Sequence, residues 1–182
     1  ASANGSTIAY VANLGNGSRP IVSRDSGKTW SSSPSIPNVS WANFENVVVS
    51  SDGNRIFSLL AQVPISYSLY SEDKGITWKT KSFSLYTESK ISPLVASNSG
   101  KNVIHDNYSS SDYGLNWEKM FQNITSQTYM TPLAISSDGY RKIFSFGSGA
   151  IQNLQKTWTS KIYSKGNLQL VYVGSGNWIT SN

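Results

Sequence analysis

Three segments of this chain share one eight-residue pattern, S-x-D-x-G-x-x-W, and a turn motif that recurs in register constrains the fold more tightly than any other feature of the sequence. Its fixed positions are Ser23, Asp25, Gly27 and Trp30; Ser71, Asp73, Gly75 and Trp78; and Ser110, Asp112, Gly114 and Trp117. A fourth segment, from Ile151 to Trp158, keeps Thr157-Trp158 but has Asn153 in place of Asp and Gln155 in place of Gly. Successive tryptophans are 48, 39 and 41 residues apart. Such spacing marks a chain built from repeated units of about 40 residues.

Each fixed residue has a physical role in a hairpin. An Asp in a tight turn accepts hydrogen bonds from backbone N–H groups a few residues on, and the following Gly takes the positive φ that closes the loop without a Cβ clash. The Trp offers a broad apolar face. Burying on the order of 150–250 Å² of it against a neighbouring unit contributes at most about 4–6 kcal/mol. Between the hairpins lie short apolar runs that read as strands: STIAYVA, NVVVS, RIFSLL, PLVAS, NVIH, PLAIS, KIFSF and LQLVYV. A second set of turns punctuates them at Asn4-Gly5, Asp52-Gly53, Ser99-Gly100, Asp138-Gly139 and Ser175-Gly176. With strands labelled A to D from the inside outward, the chain reads B-C-D, then A-B-C-D three times, then A-B. The final A strand is the run from Leu168 to Val173.

The repeat resembles the Asp-box, or BNR, repeat, a hairpin turn recurring in the propellers of sialidases, some glucan hydrolases, sortilin-type receptors and lectin-like proteins. The resemblance implies an all-β fold, a β-propeller of four-stranded antiparallel blades. The ring would have four to five blades, or the chain would be a piece of a larger propeller or a part-ring completed by oligomerisation. One domain over 1–182 is expected, with repeats near 1–43, 44–90, 91–130 and 131–167 and a partial one at 168–182. Enzymes and non-enzymes share this architecture, so the fold alone does not assign a function.

Composition removes several function classes. The chain has 182 residues, no Cys and one His, His105. A disulfide scaffold, a Cys-ligated zinc, an iron–sulfur cluster, a cysteine nucleophile and a His-rich metal site are thereby excluded. No P-loop, dinucleotide fingerprint or EF-hand loop occurs, so no cofactor and no metal are expected. A net charge of +5 raises nucleic acid as a partner. However, Lys79, Lys81, Lys119 and Lys161 follow the repeated Trp by one to three residues. That places them on the outer strand, where lysine prevents edge-to-edge pairing, so nucleic acid is not the expected partner. No apolar run is long enough to span a membrane as a helix. Sequons at Asn4, Asn16, Asn38, Asn107 and Asn123 number about what chance supplies. Composition points to a secreted or extracellular chain, and the start at Ala1 suits a processed or excised one.

Of the acidic residues, Asp25, Asp73 and Asp112 belong to the repeated hairpins, Asp52 and Asp138 to the A–B turns, and Glu72 to an exposed hairpin position. Glu45, Glu88, Asp106 and Glu118 remain, and no motif among them demands the carboxylate pair of a glycosidase. A sialidase would hold its substrate carboxylate with three converging arginines, beginning in a Phe/Tyr-Arg-Ile/Leu-Pro segment. Here only Arg19, Arg24, Arg55 and Arg141 are present, and Arg19-Pro20-Ile21 departs from that order. Ligands of propellers usually meet the face formed by the B–C and D–A loops. Aromatic rings beside amides and acids there suit a sugar, whose C–H face covers the ring while its hydroxyls take the polar groups. Trp41, Arg19, Tyr86, Glu88, His105, Asp106, Tyr108 and Tyr129 are the candidate binding residues on that face; Trp158, like the other three repeat tryptophans, is read as inter-blade packing. The expected function is a non-catalytic binding module for a glycan or a protein partner, with a possible homo-oligomer. A fragment of a sialidase-like glycoside hydrolase and a structural assembly component are the alternatives.

Overall fold

The computed structural model describes residues 1–15, 17–35, 44, 46–60, 65–84, 92–120, 130–146, 160–165 and 168–173. Among these residues every regular element is a strand. All eight apolar runs form one. The first sheet runs β1 (Ile8–Asn13), β2 (Ser18–Ser23), β3 (Ser31–Ser32), and the second runs β4 (Asn46–Val49), β5 (Ile56–Leu60), β6 (Ser66–Ser71), β7 (Lys79–Phe83). The third contains β8 (Leu94–Ala96), β9 (Val103–His105), β10 (Tyr108–Ser110) and β11 (Glu118–Lys119) in that spatial order. All neighbouring strands in these sheets pair antiparallel. Successive sheets meet through their first strands, β1 with β4, β4 with β8 and β8 with β12 (Met130–Ile135).

The A–B turns repeat one backbone pattern. The N–H groups of Ser2, Ser50, Ser97 and Ser136 donate to the carbonyls of Thr7, Arg55, Asn102 and Arg141, and each turn glycine donates back to the carbonyl of its serine. Ser175-Gly176 lies outside the described residues. Superimposing these turns makes β1 the equivalent of β5, β9 and β13 (Lys142–Phe146). Among the described residues, the first sheet therefore has no counterpart of the inner strands β4, β8 and β12. Neighbouring turns are tied to each other as well, Ala3 N–H donating to the Ser51 carbonyl at 2.8 Å and Ser51 N–H to the Asn98 carbonyl at 2.6 Å.

The fourth sheet corrects one expectation. Its order is β12-β13-β15-β14, with β14 at Ser160–Lys165 and β15 at Leu168–Val173. The run from Leu168 to Val173 is therefore not the inner strand of a further blade. It fills the third place of the fourth sheet, pairing Lys142↔Val173 with β13 and Lys165↔Leu168 with β14. Only Gly166-Asn167 separates β14 from β15 in sequence, and a two-residue Gly-Asn link between strands favours a hairpin over a crossing to another sheet. The residues expected to carry the third strand and the fourth hairpin, 147–159, lie outside the described ones.

The core forms where sheets face each other. One cluster joins Phe44, Leu60 and Leu69 with Val11, Tyr67 and Trp78; a second joins Phe57, Leu59, Leu94 and Val103 with Phe83, Tyr108 and Trp117. β5 is buried along its whole length, hence its nearly continuous apolar sequence IFSLL. Its one polar residue, Ser58, donates its hydroxyl to the Asn46 carbonyl and leaves no donor unpaired. Trp78 and Trp117 pack against these clusters between sheets. Trp30 does not: it is 44% exposed and meets Tyr10 of its own sheet edge-on, ring centroids 5.1 Å apart. Trp158 lies outside the described residues. Lys79, Lys81, Lys119 and Lys161 fall on β7, β11 and β14, each at a sheet edge.

Candidate functional site

The three repeated hairpins are built from the same bonds. Ser23, Ser71 and Ser110 each donate a hydroxyl to the Asp two residues on and accept the N–H of the glycine four residues on. The Asp carboxylates accept the N–H and side chain of Thr29, Thr77 and Asn116, and each Trp indole donates to its glycine carbonyl at 3.0 Å. Asp25 and Asp73 are held down to about 2, first by the threonine hydroxyls and then by the threonine N–H groups. The residue before each glycine also has positive φ: Ser26 at 60°, Lys74 at 60° and Tyr113 at 64°. Two consecutive left-handed residues match the twist of a tight hairpin. Sequence reading identified the Asp and the Gly but not this second left-handed position, because its three occupants have nothing chemical in common.

Several candidate binding residues take structural positions. Trp41, Tyr86, Glu88 and Tyr129 lie outside the described residues. Arg19 is half-buried on β2, opposite Ala12 of the first sheet, away from the other described candidates on the third. His105, a candidate binding residue of the loop face, is 3% exposed on β9, and neither ring nitrogen has a hydrogen-bond partner. Burial pushes its pKa down to about 4, opposed by the nearby Pro93 and Ser92 carbonyls, so the ring is neutral at pH 7. The presumed loop after it is a tight turn. Asp106 takes φ 50° and donates its N–H to the Ser92 hydroxyl, and Asn107 is 8% exposed. Tyr108 packs against the second core cluster. This hairpin is part of the third sheet's framework.

An open site lies at the opposite end of the sheets, where A–B turns and repeated hairpins adjoin. Between the second and third sheets the gap there is about 20 Å³, lined by Arg55, Tyr70 and Glu72 of one sheet and by Gly100 and Tyr113 of the next. Tyr113 fills it, its ring 3.7 Å beneath the Arg55 guanidinium, and Glu72 pins that arginine at 3.0 Å. The corresponding gap between the third and fourth sheets measures about 730 Å³. Asn102, Ser109 and Ser111 stand where Arg55, Tyr70 and Glu72 do, and Gly139 stands where Gly100 does. The position equivalent to Tyr113 is Leu154, outside the described residues.

Around this cleft stand Tyr140, 70% exposed, with Lys101, Glu118, Asp112, Asp138 and Lys142. Two of the carboxylates are committed to their own turns. Asp138 accepts the Ser136 hydroxyl and the Tyr140 N–H, which hold it below the usual carboxylate range. Burial raises Asp112, yet the Asn116 N–H and side chain and the Ser110 hydroxyl lower it further. Lys142 is buried, donates to the Gly139 carbonyl at 3.0 Å, and is pushed below the ordinary lysine value by desolvation, with Asp138 opposing. The cleft therefore offers fixed charges, hydroxyls and one ring at its mouth. Among the described residues no group of three or more His, Asp or Glu could hold a metal.

No family model and no curated relative matches the chain. Among solved structures, an ancestral GH74 enzyme superposes with TM-score 0.57 and 14% identity, over 80% of this chain and 21% of that one. The GH74 enzyme of Niastella koreensis superposes with TM-score 0.50 and 17% identity, over 81% of this chain and 21% of that one. The chain spans about a fifth of the length of each. Four successive antiparallel sheets and these superpositions give it the β-propeller fold, as an all-β part-ring.

Proposed function

We propose that the chain is a propeller module of the Asp-box kind that binds glycans, and that its binding site is the cleft between the third and fourth sheets. The observation that carries this reading is the lining of the cleft of about 730 Å³, where the exposed Tyr140 ring stands beside Lys101, Glu118, Ser109 and Ser111. The sequence supports it. In the fourth repeat Asn153 removes the acceptor carboxylate and Gln155 removes the glycine. The bonds shared by the other three hairpins are therefore not all encoded in the repeat beside the cleft.

A cleft of this size matches small-molecule sites in general. The chemistry favours a polyol. Tyr140 supplies a ring for a sugar's C–H face, while Lys101, Glu118, Ser109 and Ser111 supply donors and acceptors for hydroxyls. Binding rather than glycoside cleavage fits Asp112 and Asp138, because a general acid needs a raised pKa and both are lowered. Titrating the protein calorimetrically with a panel of oligosaccharides tests the reading. Tyr140→Ala should weaken the best ligand about tenfold or more, in line with the loss of one aromatic platform. If no oligosaccharide binds, or if Tyr140→Ala and Glu118→Gln both bind like the unaltered protein, the cleft is not the site. Hydrolysis of a bound sugar would favour the glycosidase-fragment alternative.

A further inference from the structure

A lysine occupies a core position of the fourth sheet. When the four A–B turns are superimposed, the residue after Thr7, Arg55, Asn102 and Arg141 opens β1, β5, β9 and β13, and it is Ile8, Ile56, Val103 and Lys142 in turn. Ile56 and Val103 are buried and Ile8 is half-buried. Lys142 is 7% exposed, and among the residues whose side chains are described it is the one buried lysine or arginine. Burial strips water from an ammonium, so lysine is rare inside proteins. Three aliphatic residues in the equivalent places show that the fold itself does not call for one here.

The surroundings favour the neutral amine. Lys142 lines the cleft between the third and fourth sheets, with Tyr140 on its own side and Lys101, Ser109 and Ser111 on the other. Its Nζ donates to the Gly139 carbonyl at 3.0 Å, an uncharged acceptor that an amine satisfies as well as an ammonium does. Asp138 favours the ammonium, but that carboxylate also accepts the Ser136 hydroxyl and the Tyr140 N–H. Desolvation outweighs it and holds Lys142 below the ordinary lysine value. A larger share of the side chain is then in the form whose lone pair can attack a carbonyl.

We propose that Lys142 is a nucleophile that captures small hydroxyaldehydes entering the cleft, open-chain short aldoses among them, as an imine. Its Nζ attacks the carbonyl carbon and a C–N bond forms. The carbonyl oxygen takes up both amine protons and leaves as water, and a C=N bond remains with nothing oxidised or reduced. The hydroxyls of Ser109 and Ser111 stand across the cleft for those of the aldehyde. The step rests on Lys142 and the lining around it, and does not depend on the affinity of the cleft for an intact glycan.

Glycolaldehyde and cyanoborohydride test it on the full chain at neutral pH with no glycan present, the hydride donor reducing each imine to a stable secondary amine that peptide mapping by mass spectrometry locates. Lys142 should be labelled at least about threefold faster than the exposed Lys28, Lys101 and Lys119, because each unit of lowered pKa raises the neutral fraction about tenfold and lower basicity takes back only part of it. Lys101 lines the same cleft and so controls for aldehyde gathered there. Lys142→Arg keeps the charge, and Lys142→Ile restores the residue of β5. Both should lose the fastest adduct and leave the slower ones unchanged. Labelling of Lys142 no faster than that of the exposed lysines overturns the proposal, and the unaltered protein gives that result whether or not either variant folds. A fastest adduct that survives both substitutions overturns it too, because the reactive amine would lie elsewhere.

Discussion

His105 couples the stability of the fold to pH. Its ring is buried on β9, so protonation would place a largely desolvated charge in the core, only partly offset by the Pro93 and Ser92 carbonyls. The folded pKa of about 4 lies below the ordinary value of 6.5. A histidine held neutral destabilises the fold as soon as pH falls below the unfolded value, and the loss is complete near the folded one. Stability should therefore drop by roughly 3 kcal/mol between pH 6.5 and 4 from this group alone. Asp25 and Asp73 act in a separate window. Their folded values near 2 lie below 3.8, so their contribution is present above that value and lost as pH falls from about 4 towards 2. Urea unfolding of the His105→Leu variant over this range should be nearly flat from pH 6.5 to 5, where the unaltered protein already slopes. An identical slope in both proteins would remove His105 as the cause.

At the scale of the element, the hairpins test whether the repeat is structural in the same way everywhere. A methyl group at Gly114 must bear a φ of 79° and would intrude on the Phe57 ring, which is itself packed against Trp117. At Gly27 the strain is similar, φ 91°, but the nearest atom is 3.7 Å away on Trp30. Gly27→Ala should thus cost only the backbone term of about 1–2 kcal/mol. Gly114→Ala should add an overpacking term and cost about 2–4 kcal/mol, read as a shift in the urea midpoint. Equal costs would mean that the inter-sheet contact adds nothing.

These elements also show what the sequence could disclose. Asp25 and Gly27 and their equivalents in the next two hairpins were legible because each hydrogen bond or φ admits few residue types, whereas the exposure of Trp30 was not, since the pattern is the same whether or not a neighbouring sheet covers the ring. The strand from Leu168 to Val173 was legible as a strand from its apolar alternation, but not as a member of the fourth sheet, since alternation names a face and not a neighbour. The burial of His105 was hidden for the same reason. The cleft was illegible because no motif marks it: its lining comes from the A–B turns and strands of two different sheets, which only the fold brings together.

Across the whole molecule, stability should be graded along the arc of sheets. Both core clusters involve the second sheet, and β5 is buried over its full length with a paired neighbour on each side. β9 is buried likewise and is flanked by β8 and β10. β1, by contrast, pairs among the described residues only with β2, and its side chains are half-buried at best. In a chain of stacked repeats each unit is held mainly by its neighbours, so an inner unit has two such interfaces and a terminal one has fewer. Amide hydrogen exchange resolves this, because local opening reports the stability of each unit separately. Amides of β5 and β9 should then exchange at least about tenfold more slowly than those of β1, a difference of roughly 1.4 kcal/mol or more in opening free energy. Uniform protection from β1 to β10 would mean that the arc unfolds as one unit and that the ties between turns outweigh the uneven core.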